Sequence, residues 1–146
     1  MKSALDTNVI ISLIGDEPAG ALEAEEILEE ARLTGALVIC GAVYSELFAN
    51  PTLTPAILAQ FLKDTGIEPE FDTGRQIWHE AGMRYARYSA RRRKAKAGPT
   101  RRLLADFVIG AHALLHADRL ITFDGADFRR DFPELQIAPG RQSSIK

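Results

Sequence analysis

The stretch Ser3-Ala4-Leu5-Asp6-Thr7-Asn8-Val9-Ile10 decides the fold. Ser3 to Leu5 reads as a short buried strand, and Thr7 to Ile14 as a short helix ended by the breaker Gly15-Asp16-Glu17-Pro18. An acid, Asp6, therefore stands where an apolar strand hands over to a helix. Working outward, Leu37 to Cys40 is a second strand, followed by a helix from Gly41 to Ala49 that carries Glu46 and stops at Asn50-Pro51. Asp106 stands near the start of the apolar helix Leu103 to Ala117, and Asp124 closes a further strand, Arg119 to Phe123. Three of these four carboxylates, distant in sequence, thus mark the starts or ends of apolar elements, and Glu46 lies on the helix after the second strand.

The intervening segments complete the alternation. Ala21 to Thr34 reads as an amphipathic helix with Leu22, Ala24, Ile27, Leu28 and Ala31 at helical spacing, closed by Gly35. Pro55 to Asp64 is a helix with Pro in its first turn, and Ile67 to Phe71 a strand weakened by Pro69. Thr73 to about Ala90 places Ile77, Ala81, Tyr85 and Tyr88 on one helical face. Beyond it a mobile basic tail is expected, turning at Gly98-Pro99. Leu135 to Ala138 is a short fifth strand. Strands alternating with helices imply parallel pairing through right-handed crossovers. The expected fold is a three-layer α/β/α sandwich with a central parallel sheet of about five strands, one domain over residues 1–146. In such sheets ligands collect beyond the carboxyl ends of the strands, where Asp6 and Asp124 lie.

A chain of 146 residues can bury roughly two thirds of its extended surface in one core. Its 46% hydrophobic and 26% charged residues exclude a largely disordered chain. No apolar run approaches the roughly 18 residues of a membrane span, and Asp6 interrupts what a signal peptide would need. A cytoplasmic protein that does not enter membranes is expected. The single cysteine, Cys40, ends an apolar strand and is expected to be a buried, inert thiol. The net charge of −2 conceals a polarity: residues 81–105 hold nine Lys or Arg and no acid. The remaining nine basic residues face all twenty acids, a balance of −11, so a polyanion has one side to approach.

Each acid has an ordinary structural account. Asp6 can cap the following helix, Asp106 can pair with Arg102 four residues earlier, Asp124-Gly125 can make a turn, and Glu46 can lie on a solvated surface. Asp106 fits its account least well, because Leu103-Leu104-Ala105 and Phe107-Val108-Ile109 should bury its surroundings. Gathered together, the four would repel one another unless a cation offset their charge, and oxygen ligands favour magnesium or manganese. The pair His112 and His116 lies about 240 to 280 degrees around the helix from Asp106, which argues against zinc. A carboxylate-held metal beside a basic strip points to phosphodiester hydrolysis, with Arg91, Arg92, Arg93, Lys94, Lys96, Arg101 and Arg102 gripping the polyanion. The same run also reads as a solvated loop.

Taken in order, Leu5-Asp6-Thr7-Asn8-Val9-Ile10, Glu46 after the second strand, Leu104-Ala105-Asp106-Phe107-Val108-Ile109-Gly110-Ala111-His112-Ala113 and Ala117-Asp118-Arg119-Leu120-Ile121-Thr122-Phe123-Asp124 resemble a PIN-domain ribonuclease of the VapC toxin type. The resemblance spans nearly the whole chain. It implies a parallel-sheet fold, a magnesium- or manganese-dependent endoribonuclease, a homodimer, and inhibition by a small VapB-type antitoxin. By position, Asp6, Glu46, Asp106 and Asp124 match the family's acidic quartet, and Thr7, Asn8 and Thr122 would orient it. Asp127 is an alternative for the fourth place, and Leu104-Ala105 precedes Asp106 where many relatives have proline.

Two other classes stand beside this reading. An Asp-nucleophile phosphatase would attack from Asp6, but Asn8 stands where such an enzyme wants an acid to protonate the leaving group. A non-catalytic module that binds RNA or a protein partner would keep the acidic cleft without cleaving. No glycine-rich phosphate loop follows the first strand, so use of ATP or NAD is not expected.

Overall fold

The computed structural model describes residues 1–96 and 102–139. Five strands, β1 (Ser3–Leu5), β2 (Leu37–Cys40), β3 (Ile67–Glu70), β4 (Arg119–Thr122) and β5 (Ile137–Pro139), form one parallel sheet in the order β3-β2-β1-β4-β5. Among the described residues seven helices connect them: α1 (Thr7–Ile14), α2 (Pro18–Thr34), α3 (Gly41–Leu47), α4 (Pro55–Thr65), α5 (Gly74–Ala95), α6 (Leu104–His116) and α7 (Gly125–Asp131). β1 and β2 are buried along their whole length, as strands covered on both faces must be. β1 is central, with Ser3 opposite both Leu37 and Arg119. The strand order reverses between β1 and β4, so the chain leaves these neighbours in different directions and a crevice opens beyond their carboxyl ends.

The expected α/β class and parallel sheet are present, with differences at element ends. α2 begins at Pro18, with Glu17 accepting a hydrogen bond from the Gly20 N–H, so the anticipated breaker ends in a helix start. Leu22 is exposed, because it lies about 160 degrees around the helix from Ala24 at 3.6 residues per turn; Ala24, Leu28 and Ala31 form the buried face. Gly35 is required by close approach: a Cβ there would stand 1.7 Å from the Met1 carbonyl oxygen. Pro69 sits on the edge strand β3, opposite Ile39, where its missing N–H is tolerated.

The expected mobile tail after residue 90 is instead helix through Ala95. Arg and Lys are good helix formers, and cations in the last turn complement the helix dipole. The anticipated turn at Gly98-Pro99 lies outside the described residues. α7 was not anticipated; Phe128, Asp131 and Phe132 are its buried contribution. Cys40 is buried and unbonded, and burial pushes its thiol pKa up, as an inert core thiol requires. Among the described residues, no helix is long and apolar enough to cross a membrane.

Candidate active site

Asp6 is the N-cap of α1 directly after β1, and its own N–H continues the ladder by donating to the Ile121 carbonyl at 3.0 Å. Only 6% of the residue is exposed. Its Oδ1 accepts from the Thr7 N–H at 2.8 Å and its Oδ2 from the Thr122 hydroxyl at 2.7 Å. Burial, opposed by these hydrogen bonds and assisted by the charges of Asp106 and Asp124, raises its pKa to about 6. Asp106 and Asp124 are therefore near enough to be felt at Asp6.

The other acids are tied to the same end of the sheet. Thr7 donates its hydroxyl to Glu46 Oε1 at 2.5 Å, which links α1 to α3. Asn8 Nδ2 donates to Asp124 Oδ2 at 3.2 Å, while Asn8 Oδ1 accepts from the Phe123 N–H at 3.3 Å. The Thr122 hydroxyl also accepts from the Asp124 N–H at 2.9 Å. Asp106 occupies the first turn of α6, where its Oδ2 accepts from the Leu103 N–H at 2.9 Å, one half of a capping box. Its side chain is 31% exposed, more open than its apolar neighbours suggested, because Leu103 and Leu104 at the helix start face outward. Thr7, Asn8 and Thr122 thus each bridge two elements; Asp106 and Asp124 act on Asp6 through their charge, and Glu46 is joined to this end of the sheet through Thr7.

Asp127 has different company. Its Oδ2 lies 3.3 Å from Arg102 Nη1, and its Oδ1 pairs with Arg130. Arg102 is buried, with its Nε 3.6 Å from Asp131 and 3.8 Å from Asp106, so it faces carboxylates and not solvent. Arg91 pairs with Asp131, while Arg93, Lys94 and Lys96 are exposed on the last turns of α5 and Arg92 is half-buried. Arg101 lies outside the described residues. His112 is buried and its Nε2 pairs with Glu70 Oε1 at 2.9 Å, with its pKa lowered chiefly by burial, a structural arrangement. Asp131 and its link to Arg102 escaped sequence reading; the only hint was Phe128, Asp131 and Phe132 at helical spacing.

Among the described residues, no three Asp, Glu, His or Cys side chains are drawn close enough to form a ready-made metal cage. The donor set nevertheless suits a hydrated hard cation. Magnesium keeps several waters and is held through one or two carboxylates, not by an all-protein shell. The buried Asp6 carboxylate has two oxygens engaged by neutral donors and lies near two further acids, an excess of negative charge that a divalent cation offsets.

Comparison with known proteins agrees with this architecture. The solved structure of VapBC-1 from nontypeable Haemophilus influenzae is 25% identical, with a TM-score of 0.64 over 97% of this chain and 100% of that one. VapBC2 from Rickettsia felis bound to a promoter DNA fragment is 19% identical, with a TM-score of 0.63 over 95% of this chain and 98% of that one. FitAcB from Neisseria gonorrhoeae is 18% identical, with a TM-score of 0.61 over 94% and 97%. Among curated proteins none matches the sequence. The model of the PIN domain matches residues 4–131, nearly the full described core, and the chain belongs to the PIN domain family.

Proposed function

We propose that this protein is a magnesium- or manganese-dependent endoribonuclease, the toxin of a toxin-antitoxin pair, with Asp6, Glu46, Asp106 and Asp124 as its acidic site. PIN domains are generally nucleases and generally use divalent metals. The observation that carries the reading is Asp6: a buried carboxylate at a sheet crevice, held by Thr7 and Thr122 and raised in pKa partly by two neighbouring acids. When bound, a divalent ion lowers the pKa of water and offsets charge developing on the phosphate. Asp6 would be among the residues that hold it. Thr7, Asn8 and Thr122 fix the orientations of Glu46, Asp124 and Asp6, so the acids are set before substrate arrives. Glu46, with Oε1 engaged by Thr7, keeps Oε2 to accept a proton from the attacking water.

The basic end of α5 supplies the grip on the RNA backbone. Arg91 contacts Asp131, Asp131 is near Arg102, and Arg102 is near Asp106, a relay of charges that links Arg91 of the basic run to an acid of the proposed site. Arg91, Arg92, Arg93, Lys94 and Lys96 are the phosphate-binding set, with Arg101 the next cation in sequence; Arg102 is withdrawn from it by burial.

A VapB-type antitoxin and a second copy of the chain are the proposed protein partners. A cleft of about 620 Å³ runs between α3 and α6, the helices that carry Glu46 and Asp106, and is lined by Tyr44, Phe71, Trp78, Leu104 and Val108 among others. Phe71, Trp78 and Leu104 are largely exposed, and an apolar surface of this kind beside a site is what a partner chain covers. Against an Asp-nucleophile phosphatase, Asn8 is an amide already committed to Asp124 and Phe123, and its N–H is too weak an acid to protonate a leaving group.

The test is incubation of purified protein with total RNA, with and without magnesium or manganese, and mapping of the cut ends. Discrete cleavage that needs the metal and is lost in Asp6→Asn is expected. Undiminished cleavage by Asp6→Asn overturns the assignment.

A further inference from the structure

Six acids lie at this end of the sheet, and one buried cation divides them. The Arg102 guanidinium, 7% exposed as a residue, stands over the rings of Phe128 and Phe107, with centroids at 4.6 and 5.6 Å. Its backbone N–H donates to the Tyr88 hydroxyl at 2.6 Å, which fixes the start of α6 against α5. From there it reaches Asp127 at 3.3 Å, Asp131 at 3.6 Å and Asp106 at 3.8 Å. Arg102 Nε and Nη2 and Asp131 Oδ2 are buried without a hydrogen-bond partner, so the attraction is a shared field and not a set of directed bonds.

The acids receive unequal shares of positive charge. Asp127 has Arg102 and Arg130, and Asp131 has Arg102 and Arg91. Among the described residues Asp106 has Arg102 alone, at the longest of the three distances. We infer that Arg102 is a positioning residue that sorts the acids, holding Asp127 and Asp131 on the α7 side and leaving Asp6, Glu46, Asp106 and Asp124 as the set open to a cation. The inference rests on the proposed metal site. It gives a physical reason why Asp127, only three residues after Asp124, is not a ligand, and it limits the negative charge with which the crevice holds its ion. A loosely held, hydrated cation keeps positions for substrate phosphate; a stronger acidic cage would fill them.

The experiment is titration of manganese by electron paramagnetic resonance on purified wild-type protein, Arg102→Met, Asp127→Asn, the double variant and Asp6→Asn, each with a thermal melt. Arg102→Met should melt lower yet bind manganese about fivefold tighter, because a cation is removed and Asp127 is released toward the crevice. Asp127→Asn should leave the wild-type affinity within about twofold, and in the Arg102→Met background should reverse the gain. A purely structural role for Arg102 predicts the opposite sign, since a loosened crevice binds more weakly. Unchanged or weaker binding in Arg102→Met overturns the inference, as does an Asp127→Asn loss equal to that of Asp6→Asn. Should Arg102→Met not fold, Arg102→Gln is the substitute with the same expected direction, and the Asp127→Asn result stands by itself. Wild-type protein that binds no manganese overturns the metal reading and this inference together, whereas normal binding without Arg102 coupling overturns the inference alone.

Discussion

The Thr122 hydroxyl donates to Asp6 Oδ2 at 2.7 Å while accepting from the Asp124 N–H at 2.9 Å. One small side chain at the end of β4 therefore orients the acid after β1 and fixes the backbone of the acid that follows β4. Thr122→Val keeps the shape and removes both bonds. It should destabilise the fold by about 1 to 2 kcal/mol, measured by denaturant unfolding, because the buried Asp6 carboxylate and the part-buried Asp124 N–H lose their partner. Metal-dependent cleavage should fall much more than stability, and Thr122→Ser should restore most of it.

The raised pKa of Asp6, about 6, sets a pH dependence with opposite signs for stability and activity. Relative to its ordinary value of 3.8, the folded protein holds the proton more tightly than the unfolded chain. Its contribution to stability is full below pH 3.8 and is lost as pH rises through about 6, at most about 3 kcal/mol. Metal-free protein should lose this stabilisation between pH 4 and about 6, and added manganese should restore stability at neutral pH. Cleavage should fall as pH drops below about 6. Thermal melts with and without manganese, beside a pH–rate profile, check both signs.

Gly110 lies in α6 where an added Cβ would stand 2.3 Å from the Phe132 ring. Close approach of α6 to the end of α7 depends on it. Gly110→Ala should destabilise the protein by about 1 to 3 kcal/mol through overpacking, despite alanine's better helix propensity. A variant as stable as wild type would show that Phe132 moves without penalty.

The exposed cations Arg93, Lys94 and Lys96 at the end of α5 should act through phosphates. Replacing all three by Ala should weaken RNA binding and flatten its salt dependence by about two units of slope in a log–log plot. Metal affinity should hardly change. An unaltered slope would place the RNA elsewhere.

The alternation of apolar strands with helices made the sheet readable, because Leu37 to Cys40 and Arg119 to Thr122 carry runs suited to strands buried on both faces. The acids at strand ends were readable for the same reason: Asp6 directly follows the last buried residue of β1, and Asp124 comes two residues after that of β4. What escaped was tertiary. The seven residues of α7 are too few for a clear periodic signal, and their helix is held by Phe128 and Phe132 packing on the core. The continuation of α5 through Ala95 was hidden by charge, which reads equally as a solvated helix or as loop. Arg102 looked like one more surface cation in a basic run, and only the fold brings Asp127 and Asp131 to it.

The most direct measurement is an anomalous difference map from a crystal of the protein soaked in manganese. A peak in the crevice between β1 and β4, with Asp6 and at least one of Glu46, Asp106 and Asp124 holding it directly or through water, is the predicted result. Manganese bound only elsewhere, with these four side chains unengaged, would contradict the account.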